Sequence, residues 1–412
     1  MNAKMLWQYA RLVVGVGINV QKGQPVMINC PIECAPFGRM LMTAAYDAGS
    51  KDVIINWRDD YCTRERCLKA DSSVFDAVYP WEVLKLNTLA KDGVGLIAVS
   101  ASDPENLKGV DPDRLRRSNI AAGRDLKEFY RAQMSNGIPW CVVSVPIPAW
   151  AKKVFPELPE AEAMERLWEE IFKTVRITED GDAVEEWRRH CANIEGKARA
   201  LTEYDFEELH YTNSVGTDLY VKMPENHVWL AGGDICKTNG VKFVANMPTE
   251  EVFSAPLRNG VNGTLVASKP LVLSGNVVEG IRFTFKDGRI VDMHADTNEE
   301  TLRTQVELDE GSHYLGEIAL VPYDSPISNS GILFFNTLFD ENASCHFAFG
   351  EAYPSCIKGG DDLSPEEVAA AGINAESNTH VDFMVGTRDL TIEGRTRDGR
   401  TVKVFENGNF AI

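Results

Sequence analysis

Short apolar runs alternate with longer segments of helical spacing through the first 200 residues, and this alternation determines the fold class that we predict. The runs lie at residues 26–30, 52–57, 94–99 and 140–145. A strand that is apolar on both faces needs cover on two sides, and helices between successive strands provide it. We therefore predict an α/β fold with a parallel sheet in the first half of the chain.

The pattern of predicted elements changes near residue 200, from helices to short strands and turns. Two helical segments, from about residue 159 to 176 and from about 182 to 203, end the first half. Short strands and turns follow, among them an Asp-Gly pair at 287–288, which is typical of a tight hairpin. We predict two domains, an α/β domain at residues 1–200 and a mixed α+β, metal-binding domain at residues 201–412.

Negative charge is concentrated in the second half. The 412 residues carry a net charge of −19, and residues 201–412 contain 33 acidic and 15 basic side chains. Such a surface repels a polyanion, so we predict no nucleic-acid partner. An acidic half can be a solvated surface or a source of carboxylates for cations, and composition leaves both interpretations open.

The sequence also predicts where the protein works. No run approaches the roughly 18 uncharged apolar residues that a membrane span needs, and the first residues lack a signal-peptide pattern. We therefore predict a cytoplasmic protein with no membrane partner. The nine cysteines are scattered without a Cys-x-x-Cys pair, which predicts reduced and mostly buried thiols.

Four stretches of the second half concentrate side chains of the types that bind metal ions. The first, at residues 246–253, has the adjacent carboxylates Glu250 and Glu251 after a proline-initiated turn. The second, at residues 315–322, has Glu317 at the start of an apolar run. A charge in that position needs either solvent or a cation.

The other two stretches add imidazoles. In the third, Glu341 and His346 lie five residues apart among small and apolar residues, and Tyr353 follows. A buried carboxylate and imidazole need partners. In the fourth, His380 and Asp382 point to one face if the segment is a strand, which presents a nitrogen and an oxygen to the same ion.

Together the four stretches supply carboxylates, two imidazoles and a phenol, a set that suits two divalent ions bridged by a carboxylate and a water. They also resemble the thermophilic-type dinuclear metalloaminopeptidases. The matching motifs are P-T-E-E-V-F at 248–253, G-E-I-A-L-V-P at 316–322, F-D-E-N-A-S-C-H-F-A-F-G-E-A-Y-P at 339–354 and H-V-D-F at 380–383. The resemblance is specific over residues 200–412 and looser before them.

This resemblance implies a ligand set and two catalytic residues. Glu317 would bridge the two ions, and the implied ligands as a whole are Glu251, Glu317, Glu341, His346, His380 and Asp382. Glu250 would be the general base, unless the adjacent glutamates exchange roles, since neighbours on an extended chain face opposite ways. Tyr353 would donate a hydrogen bond in the transition state.

The resemblance further implies an activity and partners. The expected function is a metal-dependent aminopeptidase that hydrolyses N-terminal residues from peptides with a free N-terminus, through a metal-activated water. Zinc, cobalt and manganese all suit carboxylate and imidazole ligands, so the native metal stays open. A homodimer is also implied.

Two other interpretations remain open at this point. Some relatives with this fold are ring-cleaving dioxygenases that hold one iron with two histidines and a carboxylate, which His346, His380 and Asp382 could provide. In a non-enzymatic interpretation, the acidic half binds cations structurally or forms an interaction surface. Metal stoichiometry per chain separates the first alternative, and turnover of aminoacyl amides separates the second.

The sequence also supports predictions for residues outside the implied ligand set. Ser364 and Glu367 have the spacing of a helix capping box. The thiol of Cys345, next to His346, is expected to be sensitive to alkylation. Five histidines have no paired carboxylate nearby in sequence and are expected on the surface or in a satisfied core position: His190, His210, His227, His294 and His313.

Overall fold

The computed structural model describes residues 2–273 and 276–412. Within these residues the chain forms two compact units, each made of two segments. Unit 1 contains the chain up to Arg189 together with Gly233–Pro248, and unit 2 contains His190–Gly232 together with Thr249–Ile412.

The helices of the described residues are concentrated before residue 205. In chain order they are α1 Ala3–Leu12, α2 Ala35–Asp47, α3 Asp60–Lys69, α4 Pro80–Lys91, α5 Pro112–Asp125, α6 Lys127–Met134, α7 Pro148–Val154, α8 Glu160–Thr174, α9 Ala183–Tyr204, α10 Glu299–Val306, α11 Pro326–Ser330, α12 Thr337–Asp340 and α13 Pro365–Ala370. The two helices predicted at the end of the first half are α8 and α9. At α13, Ser364 and Glu367 form the predicted capping box.

The strands of the described residues are concentrated after residue 205. In chain order they are β1 Pro25–Pro31, β2 Asp52–Arg58, β3 Gly95–Val99, β4 Trp140–Val143, β5 Phe206–Thr212, β6 Asp218–Lys222, β7 Leu230–Ala231, β8 Asp234–Ile235, β9 Lys242–Phe243, β10 Asn246–Met247, β11 Val252–Ser254, β12 Val261–Val266, β13 Leu271–Leu273, β14 Asn276–Val278, β15 Arg282–Lys286, β16 Arg289–His294, β17 Leu315–Leu320, β18 His346–Gly350, β19 His380–Met384, β20 Thr391–Thr396, β21 Thr401–Glu406 and β22 Asn409–Phe410.

Unit 1 is built on a five-stranded parallel sheet in the order β10-β4-β3-β1-β2. The four apolar runs of the sequence are β1 to β4, so the predicted parallel sheet is confirmed. The fifth strand, β10, is only two residues long and comes from the second half of the sequence. Two residues carry no periodicity, which is why the sequence gives no sign of this strand.

Helices cover both faces of this sheet, as the apolar strands require. On one face, Met27 and Leu96 pack in a buried cluster with Leu89 of α4 and Phe129 of α6. On the other face, α2 lies so close to β1 that a Cβ atom at Gly38 would be 3.0 Å from the Cys30 sulfur. The sheet is therefore the centre of a three-layer α/β unit.

Unit 2 contains two large antiparallel sheets. One has five strands in the order β19-β18-β17-β11-β7, and the other has eight in the order β16-β15-β12-β6-β5-β20-β21-β22. Apolar side chains of both sheets form one core. Within it, Phe283 of the eight-stranded sheet contacts Phe383 and Phe349 of the five-stranded sheet, with ring centroids 5.2 and 6.1 Å apart.

The turn between β15 and β16 in unit 2 is the one that the sequence predicts. Asp287 and Gly288 form the two-residue loop between β15 and β16, and both have positive φ, at 49° and 82°. A Cβ atom at Gly288 would be 1.7 Å from the Arg258 carbonyl oxygen, so only glycine fits there. The predicted Asp-Gly hairpin is confirmed.

Two further sequence predictions concern the whole chain. Eight of the nine cysteines are buried and Cys62 is exposed, and no disulfide bond forms among the described residues, in agreement with the predicted reduced and mostly buried thiols. Among the described residues, no helix is both long enough and apolar enough to cross a membrane.

Candidate metal centre

Three neighbouring strands of the five-stranded sheet, β17, β18 and β19, present polar side chains on one face. In the register of these strands, Glu317 lies opposite Ala348, and Ala348 lies opposite Asp382. His346 is two residues before Ala348, and His380 is two residues before Asp382, so all four polar side chains share this face. The intervening Phe347 and Phe383, among others, point into the core.

A β-bulge at Gly316 sets the orientation of Glu317. Leu315 pairs with Phe349 and points into the core, whereas Glu317 pairs with Ala348, so one extra residue is inserted between them. Without the bulge, Glu317 would share the core face of Leu315. A Cβ atom at Gly316 would be 2.4 Å from the Gly350 carbonyl oxygen, so glycine is needed for this close approach.

The polar side chains form two groups that share one carboxylate. In the first group, Nε2 of His346 is 3.4 Å from Oε2 of Glu251 and 3.5 Å from Oε1 of Glu317. In the second, Nε2 of His380 is 3.3 Å from Oε2 of Glu317 and 3.3 Å from Oδ1 of Asp382. The ligand atoms within each group lie within 4.8 Å of one another. Glu317 thus gives one oxygen to each group.

Backbone carbonyls fix both imidazoles. Nδ1 of His346 donates to the Ser344 carbonyl oxygen at 3.1 Å, and Nδ1 of His380 donates to the Glu351 carbonyl oxygen at 2.7 Å. Each hydrogen bond keeps a proton on Nδ1 and directs Nε2 toward the carboxylates, so Nε2 is the atom that can bind a cation once it has lost its own proton. Histidines that bind metals are held in this way in many proteins.

The adjacent glutamates Glu250 and Glu251 face different partners. Glu251 belongs to the first group, as its distance to His346 shows. Glu250 is 4% exposed and its Oε2 is 3.7 Å from Nε2 of His190, which also hydrogen bonds the Thr249 carbonyl oxygen at 2.7 Å. The geometry therefore favours Glu251 over Glu250 as a ligand.

Glu341 and Tyr353 complete the neighbourhood. Burial first, and then repulsion by Asp382 and Glu251, raise the pKa of Glu341 well above its usual range. Tyr353 has its ring centroid 5.1 Å from that of His380, and burial raises the pKa of its hydroxyl. The structure thus brings together all the predicted site residues except Glu250, which lies against His190.

The carboxylates and imidazoles of the site shift one another's pKa values. Burial disfavours the ionised form of Glu317, but hydrogen bonds to His346 and His380 outweigh it and lower the pKa of Glu317 to about 2. Burial also lowers the pKa values of the two imidazoles, and the facing carboxylates reverse this and raise them well above 6.5. Protons and cations therefore compete for the same Nε2 atoms.

The donor set fits divalent cations. Four carboxylates converge on two imidazoles, and burial together with repulsion between these carboxylates raises the pKa of Glu341, so the site lacks positive charge for all four to be ionised at once. Glu317 is only 5% exposed and His346 only 1%, and buried like charges are costly unless positive charge joins them. Oxygen and imidazole donors of this kind suit zinc, cobalt and manganese.

Sequence reasoning missed two residues that contact the candidate site. His190 was expected on the surface or in a satisfied core position because no carboxylate pairs with it nearby in sequence, but folding brings it from α9 to within 3.7 Å of Glu250, 60 positions later in the chain. Asn342 is fully buried and contacts both Glu250 and Glu341. The only available signal was the position of Asn342 inside a motif of ligand residues, since a long-range contact such as that of His190 leaves no local pattern.

The expectation for Cys345 was wrong. Its sulfur lies 3.3 Å from the Val321 carbonyl oxygen and 3.4 Å from the Val321 nitrogen, and the residue is 1% exposed. Burial raises the pKa of the thiol to about 12. Because the thiolate is the reactive form, burial and the raised pKa both argue against the expected sensitivity of Cys345 to alkylation.

Buried carboxylates arranged around two oriented imidazoles define a metal-binding protein. A family model described as thermophilic metalloprotease (M29) matches residues 2–410. Aminopeptidase AmpS of Bacillus subtilis is 46% identical over 404 residues, which cover 98% of each chain. The solved structure of AmpT from Thermus thermophilus has a TM-score of 0.92 and 37% identity, with 99% of each chain covered.

The chain belongs to the thermophilic metalloprotease (M29) family. It is therefore a metalloaminopeptidase, a hydrolase that acts as an exopeptidase, and the family resemblance, the fold class and this enzyme class predicted from the sequence are confirmed. A 2,5-dihydroxypyridine dioxygenase from Pseudomonas putida matches with a TM-score of 0.50 and 12% identity, over 99% of this chain and 96% of the other. That likeness concerns the fold alone.

Proposed function

We propose that the chain hydrolyses N-terminal residues from peptides with two divalent ions bridged by Glu317. The position of Glu317 carries this proposal. Its Oε1 and Oε2 atoms face different imidazoles, at 3.5 and 3.3 Å. A carboxylate that gives one oxygen to each of two ligand groups is suited to bridge two ions.

The two ligand groups define which residues would hold each ion. Glu251 and His346 would complete the first position, and His380 and Asp382 the second. Glu341 is repelled by Asp382 and by Glu251, which belong to different ligand groups, so its carboxylate lies near both proposed ion positions. We therefore propose Glu341 as a further metal ligand. With these ligands, residues 201–412 are proposed to form the catalytic domain.

Bound divalent ions supply a Lewis acid that polarises a peptide carbonyl and a water that is nucleophilic at neutral pH. We propose Glu250 as the general base that would accept a proton from the attacking water, with His190 beside its carboxylate. Tyr353 donates its hydroxyl proton in a hydrogen bond to the carbonyl oxygen as negative charge develops there. Burial raises the pKa of Tyr353, which keeps that proton in place.

Selectivity for the first peptide bond follows from the excess of carboxylates. The free α-amine of a peptide is a cation at neutral pH, and a carboxylate of this site can hold it beside the scissile bond. An internal peptide bond has no such amine nearby. We therefore propose peptides with a free N-terminus as substrates.

An amide-hydrolysis assay tests the proposed activity. Leucine p-nitroanilide should be hydrolysed by the purified chain, the activity should disappear with a chelator, and added cobalt, zinc or manganese should restore it. The N-acetylated substrate is the matched control and should resist hydrolysis. Absence of turnover with all three metals, or equal turnover of the acetylated substrate, would contradict the proposal.

Metal stoichiometry tests the two-ion site directly. Two ions of zinc, cobalt or manganese per chain are expected, because Glu251, Glu317 and Glu341 add carboxylates beyond those that one ion needs. A single iron held by His346, His380 and Asp382 would instead match the dioxygenase type of site.

We propose zinc, cobalt or manganese as the working metal, since the donor set suits all three. We also propose a homodimer and a cytoplasmic location. Sedimentation of the purified chain with and without metal checks the oligomeric state.

A further inference from the structure

One buried amide connects two parts of the candidate site and also contacts α12. The side chain of Asn342 is fully buried in a short 3₁₀ turn, Glu341–Ala343, that follows α12. Its Oδ1 accepts a hydrogen bond from the Glu250 backbone N–H at 2.8 Å, and its Nδ2 donates to Oε1 of Glu341 at 3.3 Å. Nδ2 also donates to the Leu338 carbonyl oxygen at 3.0 Å.

These partners determine both the orientation and the identity of the side chain. The Glu250 N–H requires an acceptor, whereas the Leu338 carbonyl and the Glu341 carboxylate require donors. Only an amide offers both at this length. An aspartate would lose the two donor contacts and place a second negative charge against Glu341, and a leucine would lose all three contacts.

We infer that Asn342 is a positioning residue for the metal centre, an inference that rests on the proposed function. It orients the Glu341 carboxylate through Nδ2 and fastens the Glu250–Glu251 segment through Oδ1. The side chain of Asn342 thereby positions the candidate ligand Glu341 directly. Through the backbone it also positions the segment that contains the candidate base Glu250 and the candidate ligand Glu251. Loss of such an outer contact typically weakens metal binding about 10- to 100-fold.

The test uses the full chain with Asn342→Leu, Asn342→Ala and a matched control. Gln24 in unit 1 is also a buried amide with contacts in both directions, since Oε1 accepts from the Gln21 N–H and Nε2 donates to the Gly93 carbonyl oxygen. Gln24→Leu therefore removes similar hydrogen bonds without touching the candidate site. Cobalt affinity by calorimetry, the visible spectrum of bound cobalt, and kcat and KM with leucine p-nitroanilide are measured on each variant.

Both Asn342 variants should bind cobalt about 10- to 100-fold more weakly than the parent chain, with a changed cobalt spectrum and a lower kcat at saturating cobalt. Gln24→Leu should lower the melting temperature but leave the cobalt affinity and spectrum unchanged. Asn342→Ala introduces no larger side chain, so it carries the test if the leucine variant does not fold.

Unchanged cobalt affinity and spectrum in a folded Asn342 variant would overturn the inference. An equal loss of affinity in Gln24→Leu would overturn it too, because the effect would then come from general loss of packing. Failure of the proposed function looks different, since the parent chain itself would then bind fewer than two ions or leave the anilide intact.

Discussion

At the scale of single residues, the adjacent glutamates give the sharpest prediction. Glu251→Gln removes a charge that faces His346 at 3.4 Å, so it should weaken metal binding. Glu250 lies against His190, outside the two ligand groups. The Glu250→Gln variant should therefore still bind the metal ions, but its kcat should fall about 10²- to 10⁴-fold, the usual contribution of a general base. Metal content and kcat of both variants check this. The reverse pair of phenotypes would show that the two glutamates have exchanged roles.

A second residue-scale prediction concerns Asp309, which fastens the segment before His380. Burial raises the pKa of Asp309, but hydrogen bonds from the backbone N–H groups of Asn378 and Ser312 and from the Ser377 hydroxyl outweigh it and lower the pKa to about 2. An acid with a lowered pKa in the folded state stabilises the fold above its unfolded value of about 3.8 and loses this effect as pH falls toward 2.

Asp309→Asn should therefore be less stable than the parent chain near neutral pH. The difference in free energy of unfolding should shrink as the pH falls from about 4 to about 2, because the parent carboxylate is then protonated. Denaturant unfolding at a series of pH values checks this. A constant difference across that range would show that the ionised form of Asp309 has no special role in stability.

At the scale of elements, the packing of β18 between β17 and β19 depends on a small residue. Ala348 is fully buried on the face of the candidate site, between Glu317 and Asp382. Ala348→Leu should fill the space between the two carboxylates and abolish the binding of at least one ion. Ala198 belongs to α9, outside these three strands, and Ala198→Leu overpacks the same core with a similar cost of about 1–3 kcal/mol.

Calorimetric metal titration distinguishes the two alanine variants. Ala198→Leu should keep the metal stoichiometry of the parent chain with a lower melting temperature, whereas Ala348→Leu should lose at least one bound ion per chain. If both variants keep two ions, the face of β18 is not the floor of the metal centre.

The faces of β19 and β17 differ in how well strand alternation predicts them from the sequence. The alternation of His380 and Asp382 correctly placed both side chains on one face of β19, because a strand has a period of two. Glu317 did not follow that rule, since the bulge at Gly316 reverses its face relative to Leu315. A bulge depends on the partner strand as well as on the local sequence, so alternation alone does not reveal it.

At the scale of the whole molecule, the sequence indicated the parallel sheet of unit 1 because four long apolar runs carry a strong signal. It gave no sign of β10, which adds two residues to that sheet from far along the chain. His190 was missed for the same reason, since its contact with Glu250 depends on tertiary structure. Local patterns therefore identified most of the strands and candidate ligands, while long-range contacts supply the residues that hold them in place.

Competition between protons and cations gives a prediction for the whole metal centre. The facing carboxylates raise the pKa values of His346 and His380, which favours the protonated imidazoles in the metal-free chain. Each must release its Nε2 proton to bind an ion. Metal affinity should rise with pH across neutrality, with protons released on binding. Calorimetry in buffers of different ionisation enthalpy counts these protons, and an affinity independent of pH would contradict the ligand assignment.

The central claim is that Glu317 bridges two divalent ions in one site. A crystal structure of the cobalt-loaded chain, with anomalous scattering measured at the cobalt edge, tests it most directly. We predict two anomalous peaks per chain, one between Glu317 and His346 and one between Glu317 and His380. A single peak held by His346, His380 and Asp382, or peaks away from Glu317, would contradict the account.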